Sequence, residues 1–110
     1  MIYAGLRHTI TNSLADKTET EHDIEIREPS MYRVIMHNDH YTTMQFVVEV
    51  IMTVFHKSEE EASRLMLQIH NTGSAVCGVY ILDIAQTKVN HVHMLAKREG
   101  FPLKCTLEEV

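Results

Sequence analysis

The segment His37-Asn38-Asp39-His40-Tyr41-Thr42-Thr43-Met44 holds the densest set of ligand-capable groups in this chain. An Asn carbonyl beside an Asp carboxylate can receive the donors of an ammonium group, and a third acceptor would complete such a site. Asn and Asp also start turns by bonding to nearby backbone, so composition alone leaves turn formation and ligand binding both open. His70 stands four positions after Met66 and shares its helical face. An imidazole near a helix C-terminus can equally serve the macrodipole. Met36, Met44 and Met66 form a third group. Their flexible thioethers fill gaps in cores, and they also line pockets that accept side chains of different shapes.

Eight histidines raise the question of metal. His37-x-x-His40 with Asp39, or His91-x-His93, would supply ligands, yet an isolated H-x-x-H is a weak pattern and neither pair has a cysteine near it in sequence. No metal or other cofactor is expected. A thiolate nucleophile needs a base or positive charge beside it. Cys77 and Cys105 fall in apolar, strand-like stretches without C-x-x-C spacing, so the expectation is a reduced, buried pair and no enzymatic activity.

The elements that must position these residues follow from periodicity. Met31 to Met36 reads as a strand with Tyr32, Val34 and Met36 on one face. Thr42 and Gln45 have capping-box spacing ahead of a helix from Met44 to His56, whose stripe is Met44, Val47, Val48, Ile51 and Phe55. Ser58 and Glu61 repeat the pattern, and Glu59 to Glu61 place negative charge on a second helix N-terminus. Ala62, Leu65, Met66 and Ile69 form its stripe, and Gly73 supplies a left-handed stop. Ala75 to Leu82 is a short apolar strand. Asp83 and Gln86 open a third helix with Val89, Val92 and Ala96 inward, ended by Gly100 and Pro102. Leu103, Cys105 and Leu107 then alternate with Lys104, Thr106 and Glu108 as a last strand. The order β-α-α-β-α-β predicts a compact α+β domain, a three-stranded antiparallel sheet with three helices on one face.

With 110 residues there is room for one domain and a tail. Thr9 to Glu28 is rich in Thr, Asn, Asp and Glu and poor in large apolar residues, too little to offset its ordering entropy. Residues 1–30 are therefore expected as a flexible tail and 31–110 as the folded domain. No apolar run approaches the roughly 20 residues of a membrane span, and MIYAGLRHTITN lacks the pattern of a signal peptide, so a cytoplasmic protein is expected. A net charge of −5 without clustered Lys or Arg excludes the basic footprint of a nucleic-acid binder.

At the level of whole motifs, Met31-Tyr32-x-Val34-x-x-x-Asn38-Asp39-x-Tyr41-Thr42-x-Met44-x-Phe46-Val47 resembles the first motif of the ClpS family of N-degron adaptors. Leu65-Met66-Leu67-x-Ile69-His70 followed by Gly73-x-Ala75-Val76-Cys77-Gly78-Val79 resembles the second, and Glu99 with Pro102-Leu103-x-Cys105-Thr106-Leu107-Glu108 the C-terminal signature. The resemblance implies a protease adaptor that holds a bulky hydrophobic N-terminal residue (Leu, Phe, Tyr or Trp). By the same resemblance Asn38, Asp39 and His70 would bind the α-amino group, and Met36, Thr42, Met44, Val47, Met66, Ile69 and Leu103 would surround the side chain. His40 stands where a second Asp is usual and is expected to modulate affinity; Thr43 stands where Pro is frequent. Asp83-x-Ala85-Gln86-Thr87-Lys88-Val89 resembles the contact with the N-terminal domain of a ClpA-type AAA+ unfoldase, carried here by Asp83, Thr87 and Lys88. A monomer is implied. The alternative is a general interaction domain of ribosomal-stalk-like fold, which would have no reason to keep Asn38, Asp39 and His70 together.

Overall fold

Alternation along the first strand sends Val34 and Met36 inward, where both are fully buried. That strand, β1 (Met31–His37), lies at the centre of the sheet in a computed structural model that describes residues 27–110. β2 (Ser74–Ile81) and β3 (Lys104–Glu109) flank it, both antiparallel, in the order β2-β1-β3. Met36 lies opposite Ala75 and Cys105, and Val34 opposite Gly78 and Leu107. Between those two rows β2 carries one extra residue, Cys77, so the register shifts between Val34 and Ile35. Such a bulge adds local twist to the strand. The tail expected over residues 1–30 lies outside the described residues except for 27–30, which form neither helix nor strand.

α1 (Met44–Phe55), α2 (Glu59–Thr72) and α3 (Leu82–Glu99) complete the order β-α-α-β-α-β. α3 packs on all three strands, α2 packs on both α1 and β2, and α1 also meets α3. The core takes Val47, Ile51 and Phe55 of α1 as the periodicity marks, but Val50 and Val54 are buried beside them, while Met44 is exposed and Val48 half-buried. α2 adds Ala62, Leu65 and Ile69, and α3 adds Val89, Val92 and Ala96 with Ala85, which the periodicity did not mark. Each large apolar side chain buried there contributes about 1.5–3 kcal/mol.

The caps agree with the sequence reading at α2 and depart from it at α1 and α3. Ser58 Oγ accepts from Glu61 N at 3.1 Å. At α1 the cap is Thr43, not Thr42: Thr43 Oγ1 accepts from Phe46 N at 3.1 Å. Thr42 is unavailable because its hydroxyl donates to Asp39 Oδ2. α3 starts at Leu82, follows β2 without a loop and has no side-chain cap. Asp83 therefore sits inside the first turn, where it meets the helix N-terminus as a charge rather than as a cap. Gly73 (φ 102°) and Gly100 (φ 77°) end α2 and α3 in the left-handed region, as their positions suggest.

Two long-range contacts tie α3 to the rest. Lys88 Nζ donates to Val54 O at 2.6 Å, satisfying a carbonyl in the last turn of α1, and lies 5.5 Å from the centre of the Tyr80 ring. Tyr80 also stacks on Phe55, with ring centres 6.5 Å apart. Its ring occupies the space above Gly78, where any Cβ would collide with it. At the other end of α3, His93 Nε2 accepts from the Cys105 backbone N–H at 3.0 Å. Cys77 and Cys105 are free and buried, and burial pushes both thiols up to about 12.

Candidate functional site

The site grows from the turn where β1 ends. Asn38 N donates to Gly73 O at 2.9 Å, tying the turn to the end of α2. Asp39 then bonds forward: Oδ1 accepts from Tyr41 N at 2.8 Å and Thr42 N at 2.7 Å, and Oδ2 accepts from Thr42 Oγ1 at 2.7 Å. Burial tends to raise the Asp39 carboxyl, but the bonds from Thr42 and Tyr41, with neighbouring His40, outweigh it and hold the group below its ordinary value. It stays ionised. A carboxylate has about four acceptor positions, so three internal bonds leave room on Oδ2 for an outside donor. The turn-forming and ligand-binding readings of Asp39 are thus compatible.

Beside this turn lies a cleft of about 230 Å³ lined by Asn38, Asp39, His40, Thr42, Met44, Val47, Met66, Ile69 and His70. Met44 and Val47 come from the first two turns of α1; Met66, Ile69 and His70 come from the last two turns of α2. Val47 and Ile69 are buried, while Met44 is 46% exposed, which places it at the mouth. One end of the cleft offers acceptors and the other offers aliphatic and thioether surface.

The structure therefore brings together Asn38, Asp39, Thr42, Met44, Val47, Met66, Ile69 and His70, and adds His40 to the lining. It does not bring Met36 or Leu103 to the cleft surface. Met36 is fully buried on the inner face of β1. Leu103 lies on the other side of the turn, in a second and more open groove with Tyr41, His93, Ala96, Lys97, Gly100, Phe101, Pro102 and Lys104. Sequence reasoning missed that groove, because its residues read as a helix stop and the start of a strand. Among the described residues no three His, Cys, Asp or Glu side chains converge as a metal site. No helix there is long and apolar enough to cross a membrane.

On α3, Asp83 and Thr87 are exposed, and Thr87 Oγ1 donates to Asp83 O at 3.0 Å. Lys88 differs from the surface charge expected of it. Its ammonium is engaged inward with Val54 and Tyr80, so α3 offers Asp83 and Thr87, rather than Lys88, as ready polar contacts.

These features define a small α+β binding domain, whose cleft pairs hydrogen-bond acceptors with an apolar cavity. A family model described as "ATP-dependent Clp protease adaptor protein ClpS" matches residues 27–106. The chain is 53% identical over 90 residues to the ClpS adapter of Syntrophus aciditrophicus, covering 82% of this chain and 84% of that one. It is 54% identical over 93 residues to the ClpS adapter of Nitratidesulfovibrio vulgaris, covering 84% and 93%. A solved structure of Agrobacterium tumefaciens ClpS2 bound to L-phenylalaninamide superposes with a TM-score of 0.74 at 42% identity, covering 76% of this chain and all of that one. The chain belongs to the ClpS family of adaptors of the ATP-dependent Clp protease.

Proposed function

We propose that this chain captures proteins by a free N-terminal Phe, Leu, Tyr or Trp and passes them to a Clp unfoldase–protease. The observation that carries this reading is the contiguity of the Asp39 carboxylate with the cavity walled by Met44, Val47, Met66 and Ile69. An apolar cavity of about 150 Å³ accepts benzene, so the cleft volume suits a benzyl or isobutyl group with part of its backbone. Asn38, Asp39 and His70 receive the α-ammonium, and Thr42 and His40 close the polar end. Met36 and Leu103 act from behind, by packing. The relative from Agrobacterium tumefaciens holds L-phenylalaninamide, a free α-amine joined to a benzyl side chain, which supports the same assignment here.

Burial of the side chain is worth about 1.5–3 kcal/mol, and each charge-assisted hydrogen bond about as much before the cost of association. Low-micromolar affinity follows. The partner is the N-terminal domain of a ClpA-type unfoldase in the cytoplasm, met by a monomer through the face carrying Asp83 and Thr87. The first 30 residues, separate from the 31–110 domain, serve delivery rather than capture. Fluorescence anisotropy with peptides that differ only in their first residue, each with a free and an acetylated N-terminus, tests the core of the proposal. Tight binding of free Phe and Leu peptides, lost on acetylation, is expected. Equal affinity for the two forms would falsify it.

A further inference from the structure

The turn from Asn38 to Thr42 is a ridge with a hollow on either side. Asn38, Asp39, His40 and Thr42 face the cleft, whereas Tyr41, 78% exposed, faces the groove formed by the end of α3 and residues 100–104. Register explains the adjacency. Lys104 lies opposite His37, the residue from which the turn departs, so the groove begins beside the strand end that supplies Asn38 and Asp39.

The composition of the groove differs from that of the cleft. Its floor is apolar, from Ala96, Phe101, Pro102 and Leu103, and Phe101 is fixed edge-on against Phe46 of α1 with ring centres 5.0 Å apart. Its rim carries Lys97 and Lys104, both exposed. Neither has an ion-pair partner among the described residues, where the carboxylates of Glu61 and Glu108 pair with Arg64 and Arg33. No carboxylate belongs to the groove lining. Two unpaired ammonium groups above an aromatic floor suit an extended polypeptide with acidic side chains.

We infer that this groove receives the residues that follow the captured N-terminal residue, and that it selects acidic side chains about two to four positions downstream. This rests on N-terminal capture in the neighbouring cleft. A chain anchored there by its first residue runs out past Tyr41, and each further residue extends its reach by roughly 3.3 Å. Its Asp or Glu side chains then meet Lys97 and Lys104, while its backbone lies over Tyr41 and Phe101. Solvent screens these pairs, so the groove grades substrates and does not decide capture.

The test uses the full chain and three free-amine peptides that share a first Phe and a second Ala, with Glu, Ala or Lys at positions three to five. The Glu peptide should bind roughly 3- to 10-fold tighter than the Lys peptide at low salt, and the ratio should shrink as salt is added. In the double variant Lys97→Ser, Lys104→Ser the ratio should fall to about one, with the Ala peptide unchanged. Backbone NMR signals of Tyr41, Lys97, Phe101 and Lys104 should shift with the Glu peptide alongside those of Asn38 and His70. Failure of the Ala peptide to bind would refute N-terminal capture itself. Parental binding of the Ala peptide with no Glu-over-Lys preference, or a preference that survives the double variant, would overturn the groove assignment alone. So would movement of Asn38 and His70 without the groove signals, leaving the groove to another occupant such as the acidic stretch of residues 19–25.

Discussion

Asp39→Asn separates two roles of one side chain. Asn keeps Oδ1, so the bonds from Tyr41 N and Thr42 N persist, and its amide can donate to Thr42 Oγ1 where the carboxylate accepted from it. The turn should survive at a stability cost of about 1 kcal/mol or less, the difference between charged and neutral hydrogen bonds. Asp39→Ala loses all three bonds and should cost about 1–3 kcal/mol. The charge is a separate matter. At about 4 Å a carboxylate and an ammonium attract by about 1 kcal/mol in water and about 4 kcal/mol at an effective dielectric of 20. The cleft is open on one side, so about 1–3 kcal/mol is appropriate, a loss of roughly 5- to 150-fold in affinity for a free-amine Phe peptide. The acetylated peptide should bind the variant and the parent equally weakly. Thermal melts and anisotropy on the same samples distinguish the two effects. Parental affinity for the free-amine peptide in a folded Asp39→Asn protein would refute the argument. The pH dependence has a definite sign. Because the folded-state carboxyl is depressed, its contribution to stability is complete above the ordinary value of 3.8 and is lost as pH falls through the lower value. The Asn variant should lack that part of the acid destabilisation.

Other substitutions probe the walls and the frame. Met44→Ala should remove bulk from the mouth and admit Val- and Ile-initiated peptides, stiff at χ1, by roughly tenfold over the parent, while Leu peptides lose a few-fold at most; continued rejection of Val and Ile in anisotropy would move the gate elsewhere. Lys88→Met should lower stability by about 1–2 kcal/mol through the lost Val54 bond and Tyr80 contact, read as a drop of about 4–16 °C in Tm; an unchanged melt would make Lys88 a free surface charge after all. Thiols pushed up to about 12 and buried should react with a disulfide reagent at pH 8 only as fast as the domain opens. Immediate labelling of Cys77 or Cys105 in the native protein would contradict this.

The sequence shows most clearly what is local. Ser58 with Glu61, and glycines at 73 and 100, mark helix ends through bonds that span four residues or fewer. The cleft was legible to the same degree, because Met44 with Val47, and Met66 with Ile69 and His70, share faces of single helices. What failed was settled by partners elsewhere. Two adjacent threonines compete for the α1 cap, and Asp39, by taking the Thr42 hydroxyl, leaves the task to Thr43. Alternation marks Met36 as inward-facing but cannot say that the inner face of β1 lies behind the cleft rather than on it. Lys88 looks like a solvated helix charge until α1, 34 residues earlier, brings the Val54 carbonyl within reach. The second groove joins Tyr41 to residues about 60 positions later, a distance no short-range pattern spans.

The bond from the Cys105 N–H to His93 has a consequence for the outer margin of the sheet. β3 is an outer strand, and an outer strand offers unpaired amides on which an extended polypeptide can build another rung. Here one of those amides is already spent on an imidazole, and exposed Lys104 stands next to it. On the opposite side of the sheet, the extra residue at Cys77 throws β2 out of step. An incoming strand would meet a broken ladder along either margin. Both margins thus disfavour the addition of a further strand, the feature by which β-sheet proteins limit edge-to-edge association.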